Sequence, residues 1–246
     1  MINFGTGKMI AVPTADATGT AIAVPTPVVL GVLQDVSVDM SVDLARLIGE
    51  KRYPVAVSQG KGKIEVKAKY ADIDAGVIGS LFYGKTASTG IKAAVLDAAS
   101  TIPTTPFQVT VVPPNSGTFV ANLGVTINGV AATRVASAPA VGQYSLAGAV
   151  YTFNTGDQGK TARISYEYSA ASGGQVFTLT NDLMGPSPSF SLLLQNSTQG
   201  KTMVMKLESC ISGKLNVPLK NDNYGIYDFE AEAFEGANGV GYVCLF

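Results

Sequence analysis

The chain has 246 residues, 46% of them hydrophobic and only 14% charged, with a net charge of −1. That balance argues against a nucleic-acid binder, which carries a clear basic excess. The complete lack of histidine removes Ser-His-Asp and Cys-His machinery, histidine bases and histidine metal ligands.

A charged fraction well below the usual level of about 25% fits either a surface rich in Ser, Thr, Asn and Gly or one covered in large part by partner subunits, and the second is the expectation. The length accommodates one large β domain or a core with an inserted module, and 27 Gly and 12 Pro supply the turns. No run of 18 apolar residues is present, so no transmembrane helix and no membrane association are expected. The first residues, MINFGTGKMI, lack a charged start ahead of an apolar core, so no signal peptide is expected. Cys210 and Cys244 fit a reducing compartment and are expected as small buried residues. With no C-x-x-C pair and no catalytic constellation, the expectation is a protein that is not an enzyme and holds no metal or cofactor.

Residues 1–27 are small, Thr/Ala/Pro-rich and nearly uncharged. Pro13, Pro25 and Pro27 keep them out of helix, and they read as an extended arm, disordered or ordered only by a neighbouring subunit. From Gln34 the chain alternates: Val36, Val38, Met40, Val42 and Leu44 on a dry face, Asp35, Ser37, Asp39, Ser41 and Asp43 on a wet one. Period two predicts a strand. A second strand repeats the pattern, with Ile64, Val66, Ala68 and Tyr70 inward and Lys61, Lys63, Glu65, Lys67 and Lys69 outward. Antiparallel pairing sets aspartates against lysines, about 0.2–1 kcal/mol per pair, on a face close to neutral.

Between these arms lies a loop of about 15 residues, far beyond the usual hairpin turn of about 2–5. It holds Leu47, Ile48, Tyr53, Pro54 and Val55, with Val57 at its far side. It is too apolar for a free disordered loop, so it is predicted to dock on another subunit. Next comes a short amphipathic α-helix over about 72–83. Asp72 is its expected cap and Asp74 stands in its first turn; Ile73, Val77, Ile78, Leu81 and Phe82 form one stripe, closed by Gly84. Gly79 to Thr86 matches the P-loop pattern letter for letter. The pattern begins inside the helix, fills the loop with Leu, Phe and Tyr, and leaves no room for the helix that must face phosphate, so nucleotide binding is rejected.

Between Asp97 and Asp157 there is no acidic residue, and Arg134 is the only basic one. Short β signals recur there, including an Asn128-Gly129 hairpin turn, and predict an inserted small β-sandwich-like domain over 101–173. The core is then 1–100 with 174–246, where QVFTLT, PSFSLLLQN, KTMVMKLESC and IYDFEAEAF read as longer strands. Asp222, Asp228, Glu230, Glu232 and Glu235 form an acidic run, while residues 51–70 carry six bases and one acid. The two runs can pair within a subunit or between stacked ones. The fold class is mainly β.

The order G31VLQDVSVD39, the loop with Ile48-Gly49-Glu50-Lys51 and Tyr53-Pro54, GKGKIEVKAKY70, the helix through Phe82-Tyr83-Gly84, and the closing LESC…GKLNVPLKNDNYGIYDFEAEAF resembles the tail tube proteins of long-tailed bacteriophages. GQYSLAGAVYTFNTGDQGKTARISYEY is similar to a β repeat of phage structural proteins. The resemblance implies a tail-tube-type β-sandwich or barrel fold, shared with type VI secretion tubes. It implies hexameric rings stacked into a hollow tube that conducts DNA into the host. The partners would be further copies of the chain, the tape measure, terminator and tail tip proteins, and DNA as transient cargo. The location would be the virion tail, assembled in the bacterial cytoplasm, with the insertion on the tube exterior. Leu47, Ile48, Tyr53, Pro54, Val55 and Val57 are the candidate ring–ring contact. Asp35, Asp39, Asp43, Lys63, Glu65 and Lys67 are the candidate lumen face. The alternatives are a monomeric β-sandwich adhesion module, such as a carbohydrate binder, or another tail component. The first would want exposed aromatics on a groove, and Trp is absent.

Overall fold

A computed structural model describes residues 5–72, 76–182 and 184–246, and the protein is mainly β. Two compact units are present, one uniting Met1–Ala87 with Phe177–Phe246 and the other formed by Ser88–Val176. The first opens with β1 (Lys8–Ala15), β2 (Val28–Leu30), β3 (Leu33–Leu47) and β4 (Ala56–Tyr70). The second holds β5 (Ser88–Thr101), β6 (Gln108–Thr110), β7 (Thr118–Ile127), β8 (Val130–Ala131), β9 (Thr133–Arg134), β10 (Gln143–Ala147), β11 (Val150–Phe153) and β12 (Thr161–Val176). The chain returns to the first unit with β13 (Ser189–Thr198), β14 (Lys201–Asn216), β15 (Tyr227–Phe234) and β16 (Gly241–Leu245).

The first unit is one sheet in the order β2-β1-β13-β14-β15-β4-β3. β14 is its spine: β13 pairs along one edge, while the other edge takes β16 at Met203–Leu207 and β15 at Ser209–Asn216. Laid flat, seven strands about 4.8 Å apart would separate β2 from β3 by about 29 Å. Only Gly31 and Val32 join Leu30 to Leu33, a link of at most about 11 Å. The sheet must therefore curl until its two ends meet, and Ala71 N–H donates to the Val32 carbonyl at 3.1 Å at the junction. Inside the curl, residues from both ends share one core: Met9 and Leu30 from one, Val66, Ala68 and Tyr70 from the other, with the Phe190 and Phe229 rings tilted at 46° and 5.9 Å apart between them.

Four expectations are corrected here. The arm is core over its central part: β1 pairs with β13 and β2, and Met9 and Ala11 are fully buried. Its small side chains hid a period of two that places Met9, Ala11 and Pro13 inward. The α-helix is a single π-turn, Val77–Phe82, with Val77 and Leu81 buried and no side-chain cap. So short a turn has no helical cooperativity of its own, and packing sets its winding: a Cβ on Gly79 would overlap the Phe177 ring. Asp72 does not cap it, and Ile73 and Asp74 lie outside the described residues. Gly84 follows at φ +59°, as a C-terminal glycine should. QVFTLT is strand only through Val176, after which the described residues 177–182 and 184–188 form no strand or helix. Finally, Cys210 is buried, but Cys244 is exposed on β16, a strand too short to stand out in the sequence; both thiols are free.

The second unit is a sandwich of β5-β12-β7-β8 and β6-β11-β10-β9 around one aromatic-rich core. Its limits are wider than the expected 101–173, because Lys92 and Asp97 sit on β5 and mask the compositional break. Asn128 and Gly129, at φ 47° and 82°, make the two-residue turn from β7 to β8. Inside, the Asn122 amide donates to the Tyr144 hydroxyl at 2.9 Å and accepts from that of Tyr151 at 3.1 Å. Burial pushes the Tyr151 phenol up to about 12.

Candidate assembly surface

β3 and β4 pair from Leu33↔Tyr70 to Leu47↔Ala56, so the loop between them is residues 48–55, about half the length expected. The strand pairing continues to its mouth, and Val55 N–H closes it on the Leu47 carbonyl at 2.8 Å. Of the candidate contact residues, Ile48, Tyr53, Pro54 and Val55 stand in the loop, Leu47 ends β3 and Val57 lies in β4. All are exposed, and the five other than Pro54 keep between 55% and 76% of their surface in solvent.

The dry face is dry only at its base. Val36, Val38 and Ile64 pack on the core, whereas Met40, Val42 and Leu44 remain 47–55% exposed. The register supplies the reason. β15 backs β4 only as far as Ala233↔Ile64, and beyond that point no third strand among the described residues pairs with the hairpin. A two-stranded ribbon is marginal in water at best, and this one carries a continuous apolar stripe.

The polar face is also rearranged. Asp35 faces Lys69, but Asp39 lies opposite Glu65 rather than a lysine, and Glu65 lies opposite Glu232. This row of three carboxylates is neutralised diagonally. Lys63 bridges Glu65 at 2.5 Å and Glu232 at 3.6 Å, and Lys67 reaches Asp39 at 3.6 Å and Glu65 at 3.5 Å. Hydrogen bonding to Lys63 holds the Glu65 carboxyl below its ordinary range. Asp43 sits at a bulge between Val42 and Leu44. The acidic and basic runs therefore pair within one chain, through β15 on β4. With Asp228, Glu230 and Lys214, paired to Glu230 at 2.8 Å, the part of the face below that bulge carries six carboxylates (Asp35, Asp39, Glu65, Asp228, Glu230, Glu232) against four lysines (Lys63, Lys67, Lys69, Lys214). The hairpin arms alone are balanced, Asp35, Asp39, Asp43 and Glu65 against Lys61, Lys63, Lys67 and Lys69, and β15 makes the wider face net acidic.

The P-loop letters fold into something else. Gly79 is pressed on Phe177, Lys85 pairs with Asp182 at 2.8 Å, and the segment after Thr86 is β5 rather than a helix. Among the described residues no three Cys, Asp or Glu side chains are grouped to hold a metal ion, and no helix is long and apolar enough to cross a membrane. A shallow groove of about 450 Å³ on the second unit is lined by Lys92, Val120, Glu167 and Tyr168. Tyr168, its single aromatic, is buried, so the groove offers no stacking platform for a sugar. Comparison with protein-family models and with curated proteins gives no match.

Proposed function

We propose that this chain is a self-assembling structural subunit whose rings stack into a hollow tube, the role that its resemblance to phage tail tube proteins implies. The observation that carries the reading is the β3–β4 hairpin, which extends past the core of its own unit with Met40, Val42, Leu44 and the tip residues in solvent. Exposed apolar area of this extent marks an association surface. A contact between two different patches of one subunit closes into a ring along one direction and propagates along another. The net acidic face that the hairpin forms with β15 and β14 suits the wall of a channel for DNA, because Lys63, Lys67 and Lys214 are already paired with carboxylates and leave phosphate few free anchors. On this reading Asp35, Asp39, Asp43, Lys63, Glu65 and Lys67 face the lumen, and the protein resides in the virion tail beside the tape measure, terminator and tip proteins.

Electron microscopy of the purified protein tests the proposal, with rings or tubes as the expected result. Replacing residues 48–55 by Asn-Gly keeps the Leu47↔Ala56 pairing and is expected to leave a folded monomer. A wild type that is monomeric at all concentrations overturns the proposal, as does a tip variant that still forms tubes.

A further inference from the structure

β16 is built of apolar residues yet buries almost none of them. Tyr242, Val243, Cys244, Leu245 and the following Phe246 are all exposed. The strand is held to β14 by backbone bonds, among them Glu208 N–H to Val240 O at 2.9 Å and the reciprocal pair between Thr202 and Phe246 at 2.7 and 3.0 Å. The register explains why its side chains matter. Leu30, Met9, Leu194, Met205 and Val243 form one row across β2, β1, β13, β14 and β16. The first three are buried, Met205 is half-buried and Val243 is 52% exposed, so the core face of the sheet runs off its edge uncovered. An apolar strand with a free backbone edge is an aggregation hazard unless something covers it.

The same chain carries a cover of matching character. The hairpin presents eight large apolar side chains at about half to three-quarters exposure. At roughly 100 Å² apiece they offer about 800 Å², close to what one partner contributes to a stable interface. Phe234, Val240, Tyr242, Val243, Leu245 and Phe246 offer about 600 Å² on the same reckoning, and the sum lies within the range of specific interfaces. The charges are complementary: Arg46, Lys51 and Arg52 outnumber Glu50 at the tip, and Glu235 flanks Phe234 at the edge, beside the self-paired Lys206 and Glu208.

We infer that β16 and its flanks receive the β3–β4 hairpin of a second copy of this chain. The inference rests on the self-assembly reading and names the surface that reading leaves open. The two patches differ, so the contact is heterologous, and a pair of subunits keeps one free hairpin at one end and one free β16 at the other.

The native cysteines provide the test. Cys244 stands between Tyr242 and Phe246, while Cys210 is buried with its thiol pushed up to about 12, so a maleimide reads Cys244 alone in the folded protein. Assembled wild type is expected to label at least tenfold more slowly than the monomeric Asn-Gly tip variant. Mixing gives a second readout. Val55→Asp and Leu245→Asp are each expected to remain monomeric, and a 1:1 mixture to form heterodimers that grow no further, because only one intact hairpin and one intact β16 remain. Wild type that assembles while Cys244 labels at the monomer rate overturns the inference and leaves the tube reading standing. A mixture that stays monomeric beside a polymerising wild type does the same. Wild type that never assembles overturns both. Slow labelling of Cys210 certifies that Leu245→Asp is folded, and the wild-type protection decides the matter if it is not.

Discussion

The base and the tip of the β3–β4 hairpin share one sequence pattern and have opposite fates. Val36 and Val38 pack on the core, and Met40, Val42 and Leu44, next in the same alternation, stand in water. Nothing in side-chain chemistry separates the two groups. β15 backs β4 only to Ile64, so one half of the hairpin belongs to a curled sheet and the other half is a bare ribbon. Period two reports the pleat of a strand; burial is decided by whatever lies across it.

Core truncation gives the largest contrast. Phe229→Ala, beneath the base, is expected to cost about 3–5 kcal/mol in a denaturant titration, and a loss under 1 kcal/mol would show that the base is not the packed half. Val66→Ala and Val42→Ala then compare one residue type on two sides of the boundary. The buried position is expected to lose about 2 kcal/mol and the exposed one to stay within about 0.5 kcal/mol in the monomer; equal losses would erase the distinction. Alkali is the next probe. Burial raises the Cys210 thiol from its ordinary 9.0 to about 12, so the unfolded chain releases its proton first. The stability involved is complete below about pH 9 and drains away as pH climbs towards 12. Cys210→Ala should flatten that slope in melting experiments between pH 8.5 and 11, and an unchanged slope would count against the burial. The smallest effect belongs to the polar face. Lys63→Gln leaves Glu65 and Glu232 without their shared partner, and a slight, salt-sensitive loss of stability is expected. Glu65 titrates below its ordinary range beside Lys63, so its contribution is present above that range and lost as pH falls; the variant should lose this acid sensitivity.

Much of the architecture was legible because alternation is a local signal. β3, β4, β13 to β15 and the strands of the second unit after β5 announced themselves in this way, as did the Asn128-Gly129 turn. β1 escaped because Ala11 and Pro13 carry too little bulk to mark a face, although both are buried. β16 escaped because five residues hold no full pattern. The tip residues were legible as apolar and long-looped, yet the loop was overestimated, since Ala45, Arg46, Val57 and Ser58 pair despite interrupting the Asp/Val rhythm. The carboxylate row and the uncovered row ending at Val243 are products of register between distant strands, and no window along the chain contains either.

The pairing of Val176 with Ser88 has a consequence for how the chain acquires its structure. Tyr70 must find Tyr227 and Met9 must find Leu194, searches across most of the polypeptide that slow folding. A contiguous second unit can form first, and its completion draws residues 87 and 177 together. That step roughly halves the open loop between Tyr70 and Tyr227, lowering its closure cost by about 0.6 kcal/mol. The insertion lengthens the polypeptide while shortening the search, so its removal with a short splice should leave the native state of the first unit within reach.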